Sequence, residues 1–140
     1  MTADDAEIAE ILARVRTIAL VGASARPERP SHDVMRFLQQ AGYRVIPVNP
    51  GLAGQTMLGE TVVASLHDIA DHVDMVDVFR ASAEVGPVVD AAISIGANVV
   101  WLQLGVVNPA AAARARAAGL AVVEDRCPKI ELLRRRPTLP

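Results

Sequence analysis

Apolar positions recur along this chain in two rhythms, short unbroken runs and longer stretches at helical spacing. Ile8, Ile11, Leu12 and Val15 follow Asp4 and Asp5 at intervals of three and four, so residues 4–15 read as an amphipathic helix with acids at its positive end. TIALVGAS is then a nearly all-apolar strand, and Ser31 with Val34, Leu38 and Ala41 starts a helix that Gly42 ends. The strand pattern returns in RVIPVNP, VDMVDVFR, NVVWLQLG and LAVVEDR, with helical stretches between most of them. Asn108 as N-cap, Pro109 at the first helical position and Gly119 past the end frame a helix over 109–118. Ser82 reads as the cap of a helix that turns Val85, Val88, Val89, Ala92 and Ile93 inward, with Pro87 in its first turn. Between the second and third strands a glycine-punctuated loop leads into SLHD, where Ser65 and Asp68 have capping-box-like spacing and predict a short helical turn.

Strands that are apolar on both sides belong to parallel sheets covered on both faces. The alternation therefore predicts an α/β, Rossmann-like three-layer fold with an open, mostly parallel sheet of about five strands and a ligand crevice beyond their carboxyl ends. Those ends are Gly22 to Ser24, Val48 to Pro50, Val78 to Arg80, Leu104 with Gly105, and Asp125 to Cys127. Residues 1–140, 51% of them apolar, suit one domain, with 1–16 an N-terminal helix and 134–140 a tail.

Charge narrows the partners. A net charge of −2 gives no chain-wide attraction to nucleic acid or to an anionic membrane, so any phosphate must be held locally. No apolar run approaches the roughly 20 residues a bilayer span needs. The acidic start MTADDAE lacks the features of a signal peptide and Cys127 is the only cysteine, so a soluble, cytoplasmic protein without an internal disulfide is expected.

The first strand ends in VGASARPERPSH. Of the glycines in the usual dinucleotide fingerprint only the first survives, as Gly22, while Ala23 and Ser24 are small enough for close approach. Backbone N–H groups of such a turn and the positive end of the following helix favour a phosphate. The acid that would hold NAD ribose hydroxyls is missing, because the second strand ends in VNPG. Arg26, Arg29 and His32 on the first loop and Arg80 after the third strand instead gather positive charge at the ligand edge.

VGAS with its proline-containing loop, VNPG, VDMVDVFR, VVWLQLG and DRCPKIE, in this order over about residues 17–131, resemble the small stand-alone CoA-binding domain proteins. These are relatives of the CoA-binding domain in the succinyl-CoA synthetase alpha subunit. The resemblance implies a first loop that holds the phosphates of coenzyme A or an acyl-CoA, matched here by Gly22, Ala23, Ser24, Arg26, Ser31 and His32. It implies an adenosine side at Val48, Asn49 and Pro50, a third strand end at Phe79 and Arg80, and a fourth at Leu104 and Gly105. Relatives often carry a basic residue just after the Asn-Pro dipeptide, where this chain has Gly51, so Arg26, Arg29 or Arg80 must read the 3′-phosphate.

The remaining chemistry is sparse. His32, His67 and His72 lack zinc-ligand spacing, and Cys127 reads as a packing cysteine with a reactive thiol as the alternative. Trp101 is expected in the core, whereas Gln103 fits the core or the crevice equally. Arg134, Arg135 and Arg136 read as a solvated tail without aromatic stacking partners. No nucleophile elbow, Walker lysine or paired catalytic carboxylates appear. The expectation is a CoA-binding carrier, sensor or partner subunit without catalysis of its own. A small NAD(P)-binding oxidoreductase, or a CoA-transferring enzyme completed by another chain, stands as the alternative.

Overall fold

The computed structural model describes residues 3–136. Asp4 accepts a hydrogen bond from the Glu7 N–H at 2.8 Å and so starts α1 (Asp5–Arg14), whose Ile8, Ile11 and Leu12 enter the core. The chain continues through β1 (Thr17–Val21), α2 (Pro30–Gln40), β2 (Arg44–Val48), β3 (Thr56–Met57), β4 (Glu60–Thr61) and β5 (Met75–Val78). It ends with α3 (Val85–Ser94), β6 (Val99–Leu102), α4 (Pro109–Ala117), β7 (Ala121–Val123) and α5 (Pro128–Arg134). Five strands make one parallel sheet in the order β2-β1-β5-β6-β7, and β3 pairs with β4 as a separate antiparallel hairpin.

Alternation along the strands sends side chains to two cores. Ile18, Leu20, Met75, Val99, Trp101 and Val123 meet α1, α2 and α5 on one face. Ala19, Val76, Val78, Val100, Leu102 and Val122 meet α3 and α4 on the other. Burying each such large side chain contributes about 1.5–3 kcal/mol, which makes these two layers the main stabilising term. Trp101 is wholly enclosed, and its indole N–H still finds a partner, donating to the Arg126 carbonyl at 2.8 Å. After β1 the chain crosses to α2, and after the neighbouring β5 it crosses to α3 on the opposite face. A crevice opens where those paths diverge, at the carboxyl ends of β1 and β5.

Asn108 accepts from the Ala111 N–H at 3.1 Å and Pro109 opens α4, as the sequence predicts. The Ser65 N–H and hydroxyl both donate to Asp68 at the expected helical turn. Four local readings are corrected. Helix α2 begins at Pro30 with Arg29 at the N-cap position, and Ser31 lies inside its first turn. Ser82 opens a 3₁₀ turn ahead of α3 rather than capping the helix, and its hydroxyl accepts from the Val107 N–H at 3.0 Å. The loop after β2 contains the β3–β4 hairpin, which two-residue strands leave without a readable period.

The arginine run is also no solvated tail up to its last described residue. Arg134 ends α5, and Arg134 and Arg135 reach the buried carboxylate of Glu131 at 3.3 and 2.7 Å. Arg135 also pairs with Asp5 at 3.4 Å, tying α5 to α1, while Arg136 lies over the Phe37 ring. Residues 137–140 of the expected tail lie outside the described residues.

Candidate ligand-binding site

The crevice is built on one close approach. Gly22 follows β1 with φ +89°, and a Cβ there would stand 2.1 Å from the Phe79 carbonyl oxygen. The Phe79 N–H donates to the Val21 carbonyl at 2.8 Å, so the two strand ends turn together. The Gly22 and Ala23 N–H groups both point to the Val48 carbonyl, at 3.1 and 3.3 Å. They anchor the turn to β2 and are not free to hold an anion. No protein hydrogen bond engages the N–H groups of Ser24, Ala25 and Ser31 among the described residues.

Three cavities meet around this turn. One of about 300 Å³ is lined by Gly22, Ser24, Arg26, Arg29, Pro30, Ser31 and Phe79. A second, about 210 Å³, shares Gly22 and runs between the end of β2 and α3, past Val48, Pro50, Ser65, Leu66, Arg80 and Val88. The third, about 580 Å³, shares Pro30 and Phe79 with the first and Arg80 with the second. Its far wall is Gln103, Leu104, Cys127, Lys129 and Ile130. The series is therefore a short apolar pocket, a cationic loop pocket and a longer, mainly apolar pocket, joined at Gly22, Phe79 and Arg80.

Charge distribution supports that division. Neither Arg26 nor Arg29 forms an ion pair among the described residues, and Arg80 holds Glu84 only at 3.8 Å on the surface. Lys129 is committed, because it donates to Asp33 at 2.7 Å and sits 5.5 Å over the Phe37 ring. The hydrogen bond from Lys129 outweighs desolvation and lowers the Asp33 carboxyl below its ordinary value. Beneath the crevice, Asp77 lies opposite Leu20 and Trp101 in the sheet, and burial pushes its carboxyl well above the usual range.

Of the residues expected at the site, Gly22, Ser24, Arg26, Ser31, Val48, Pro50, Phe79, Arg80 and Leu104 line one or more of these cavities. Ala23, His32, Asn49 and Gly105 line none of them. Ala23 is buried, and His32 leaves its Nδ1 without a partner. Asn49 uses both ends of its amide on the scaffold, donating to the Ala23 carbonyl and accepting from the Gly51 N–H, each at 2.8 Å. Gly105 turns with φ +78° and donates to Asp125 at 2.6 Å. Ala64 to Leu66, Pro87 and Val88, and the α2–α5 wall of Asp33, Lys129 and Ile130 were not foreseen. Only Gln103 and Cys127 had left a signal, as polar or thiol groups at strand ends.

A doubly wound sheet thus carries a glycine turn at its switch point, beside a cation-rimmed crevice. A family model described as "CoA binding domain" matches residues 16–132, and the chain belongs to that family. It is 42% identical over 125 residues to the uncharacterized protein YneT of Bacillus subtilis, covering 89% of this chain and 91% of YneT. A protein of Thermus thermophilus, cell-free ID.343, superposes with a TM-score of 0.90 at 39% identity, over 94% of this chain and 98% of that one. The dinucleotide-forming acetyl-coenzyme A synthetase 1 of Candidatus Korarchaeum cryptofilum superposes at 0.67 and 25% identity, over 76% of this chain but 25% of the synthetase. No helix among the described residues is long and apolar enough to cross a membrane.

Proposed function

We propose that the chain binds one molecule of coenzyme A or an acyl-CoA across the three joined cavities. The carrying observation is their order. A small pocket of about 210 Å³ with Val48, Pro50 and Leu66 suits an adenine ring, and the adjoining loop with unpaired Arg26 and Arg29 suits phosphates. The apolar cavity of about 580 Å³ suits a pantetheine arm. Donors for the pyrophosphate are the N–H groups of Ser24, Ala25 and Ser31, next to the positive end of α2. Arg80, at the junction of the adenosine and pantetheine pockets, joins Arg26 and Arg29 as a cation for the 3′-phosphate. The proposed role is that of a carrier, sensor or partner subunit without turnover of its own.

The NAD reading is disfavoured because the end of β2 offers Asn49 and Pro50 where an acid would hold ribose hydroxyls, and Asn49 is occupied by the scaffold. Mass spectrometry of small molecules released from freshly purified protein tests the proposal. Coenzyme A or an acyl-CoA is expected; NAD or NADP in its place overturns it. Steady-state hydrolysis or transfer of a CoA ester by the isolated chain overturns the non-catalytic role.

A further inference from the structure

The cavity of about 580 Å³ ends on Gln103 and Cys127, which nucleotide and phosphate binding leave unused. Gln103 is 7% exposed, and its side-chain oxygen has no hydrogen-bond partner. A buried amide oxygen left unpaired is costly, so a donor from an occupant of the cavity is its natural complement. The arm of coenzyme A carries two amide N–H groups, and its cysteamine amide stands two methylenes from the sulfur.

Cys127, the only cysteine of the chain, is 5% exposed and lines the same cavity. Backbone geometry keeps the two residues together. The Arg126 N–H donates to the Leu102 carbonyl at 3.3 Å, and the Arg126 carbonyl accepts from the Trp101 indole at 2.8 Å. The residue before Cys127 is thereby pinned beside the residues before Gln103. Beyond them the cavity's rim carries Leu104 and Ile130, both exposed, so a ligand longer than one arm has a way out.

We infer that Cys127 is a thiol-exchange site for oxidised coenzyme A, with Gln103 holding the arm that delivers the disulfide. This rests on the coenzyme A reading of the crevice. The Cys127 thiol gives its proton to solvent, and the thiolate attacks the sulfur of the bound half of coenzyme A disulfide. The Cys127–CoA disulfide forms as the CoA–CoA disulfide breaks, and the departing half leaves as a thiolate that takes up a proton. Electrons balance within the exchange, since the coenzyme A disulfide is the oxidant. The product stores one coenzyme A covalently, and any free thiol that reaches the cavity releases it.

The test is intact-protein mass spectrometry of the reduced full chain exposed to coenzyme A disulfide or to glutathione disulfide, with calorimetry of reduced coenzyme A alongside. One CoA adduct per chain is expected, removed by dithiothreitol, absent from Cys127→Ser, and formed roughly tenfold or more faster than the glutathione adduct because binding raises the local concentration. Gln103→Leu should slow the CoA adduct and leave the glutathione rate unchanged. Coenzyme A binding in calorimetry without an adduct, or equal rates with both disulfides, overturns the inference while the binding proposal stands. No adduct together with no coenzyme A binding overturns both.

Discussion

Gly22 and Phe79 approach so closely that any side chain on Gly22 would collide with the Phe79 carbonyl oxygen, 2.1 Å from a built Cβ. The turn that shapes the arginine-lined loop pocket is thus also a packing contact between the ends of β1 and β5. Gly22→Ala forces an L residue to φ +89° and displaces the Phe79 backbone. Stability should fall by at least about 1–3 kcal/mol, the usual cost of a strained backbone position, before any ligand is added. Urea unfolding of the free protein checks this, and an unchanged midpoint would show that the turn is looser than described.

Arg26 and Arg29 hold no ion pair among the described residues and Arg80 holds only a surface one, so replacing each with Ala should leave the fold intact. Hydrogen bonds to charged groups contribute about 1.5–3 kcal/mol, so the arginine that reads the 3′-phosphate should on removal weaken coenzyme A binding by roughly 10- to 150-fold. Dephospho-CoA should lose less in the same variant. Titrating both ligands into the three variants checks this, and equal binding of the two by the unaltered protein would exclude a basic reader of that phosphate.

Asp77 is fully enclosed, both carboxylate oxygens lack partners, and burial raises its pKa well above the ordinary value. The folded protein holds the proton more tightly than the unfolded chain, where aspartate titrates near ~3.9. Its favourable contribution is complete below that pH and is lost as pH rises toward and through the folded value. Asp77→Asn stays neutral throughout, so its stability advantage over the unaltered protein should grow as pH rises from about 4. Denaturant midpoints measured across that range for both proteins check this, and parallel profiles would mean that Asp77 does not titrate abnormally.

Glu131 is buried, with Arg135, Arg134 and Arg126 at 2.7, 3.3 and 3.5 Å, and Arg135 and Arg126 also reach Asp5. Glu131→Gln removes the buried charge that these three arginines meet and should cost about 1.5–3 kcal/mol. Because α5 carries the Lys129 and Ile130 wall of the cavity of about 580 Å³, coenzyme A affinity should fall with it. Unfolding and calorimetry of the variant check both effects.

The five-stranded sheet and the framed helices were legible because their signals are local: all-apolar strand runs, Asn108 and Pro109 at one end of a helix, Gly119 past the other. The glycine turn and its arginines were legible for the same reason. The β3–β4 hairpin was not, since each strand has two residues. Helix α5 was hidden because its docking is tertiary: Arg135 meets Asp5 of α1 and Lys129 meets Asp33 of α2, pairings that an arginine-rich stretch does not announce. The wall formed by Asp33, Lys129, Cys127 and Gln103 likewise joins positions nearly a hundred residues apart, and the bond from the Asn49 amide to the Ala23 carbonyl appears only once β2 meets the first loop.

Calorimetric titration of the unaltered protein with coenzyme A, and separately with NAD, tests the central claim most directly. The crevice predicts about one coenzyme A per chain, bound much more tightly than NAD. NAD binding tighter than coenzyme A, or no heat of binding with coenzyme A, would contradict it.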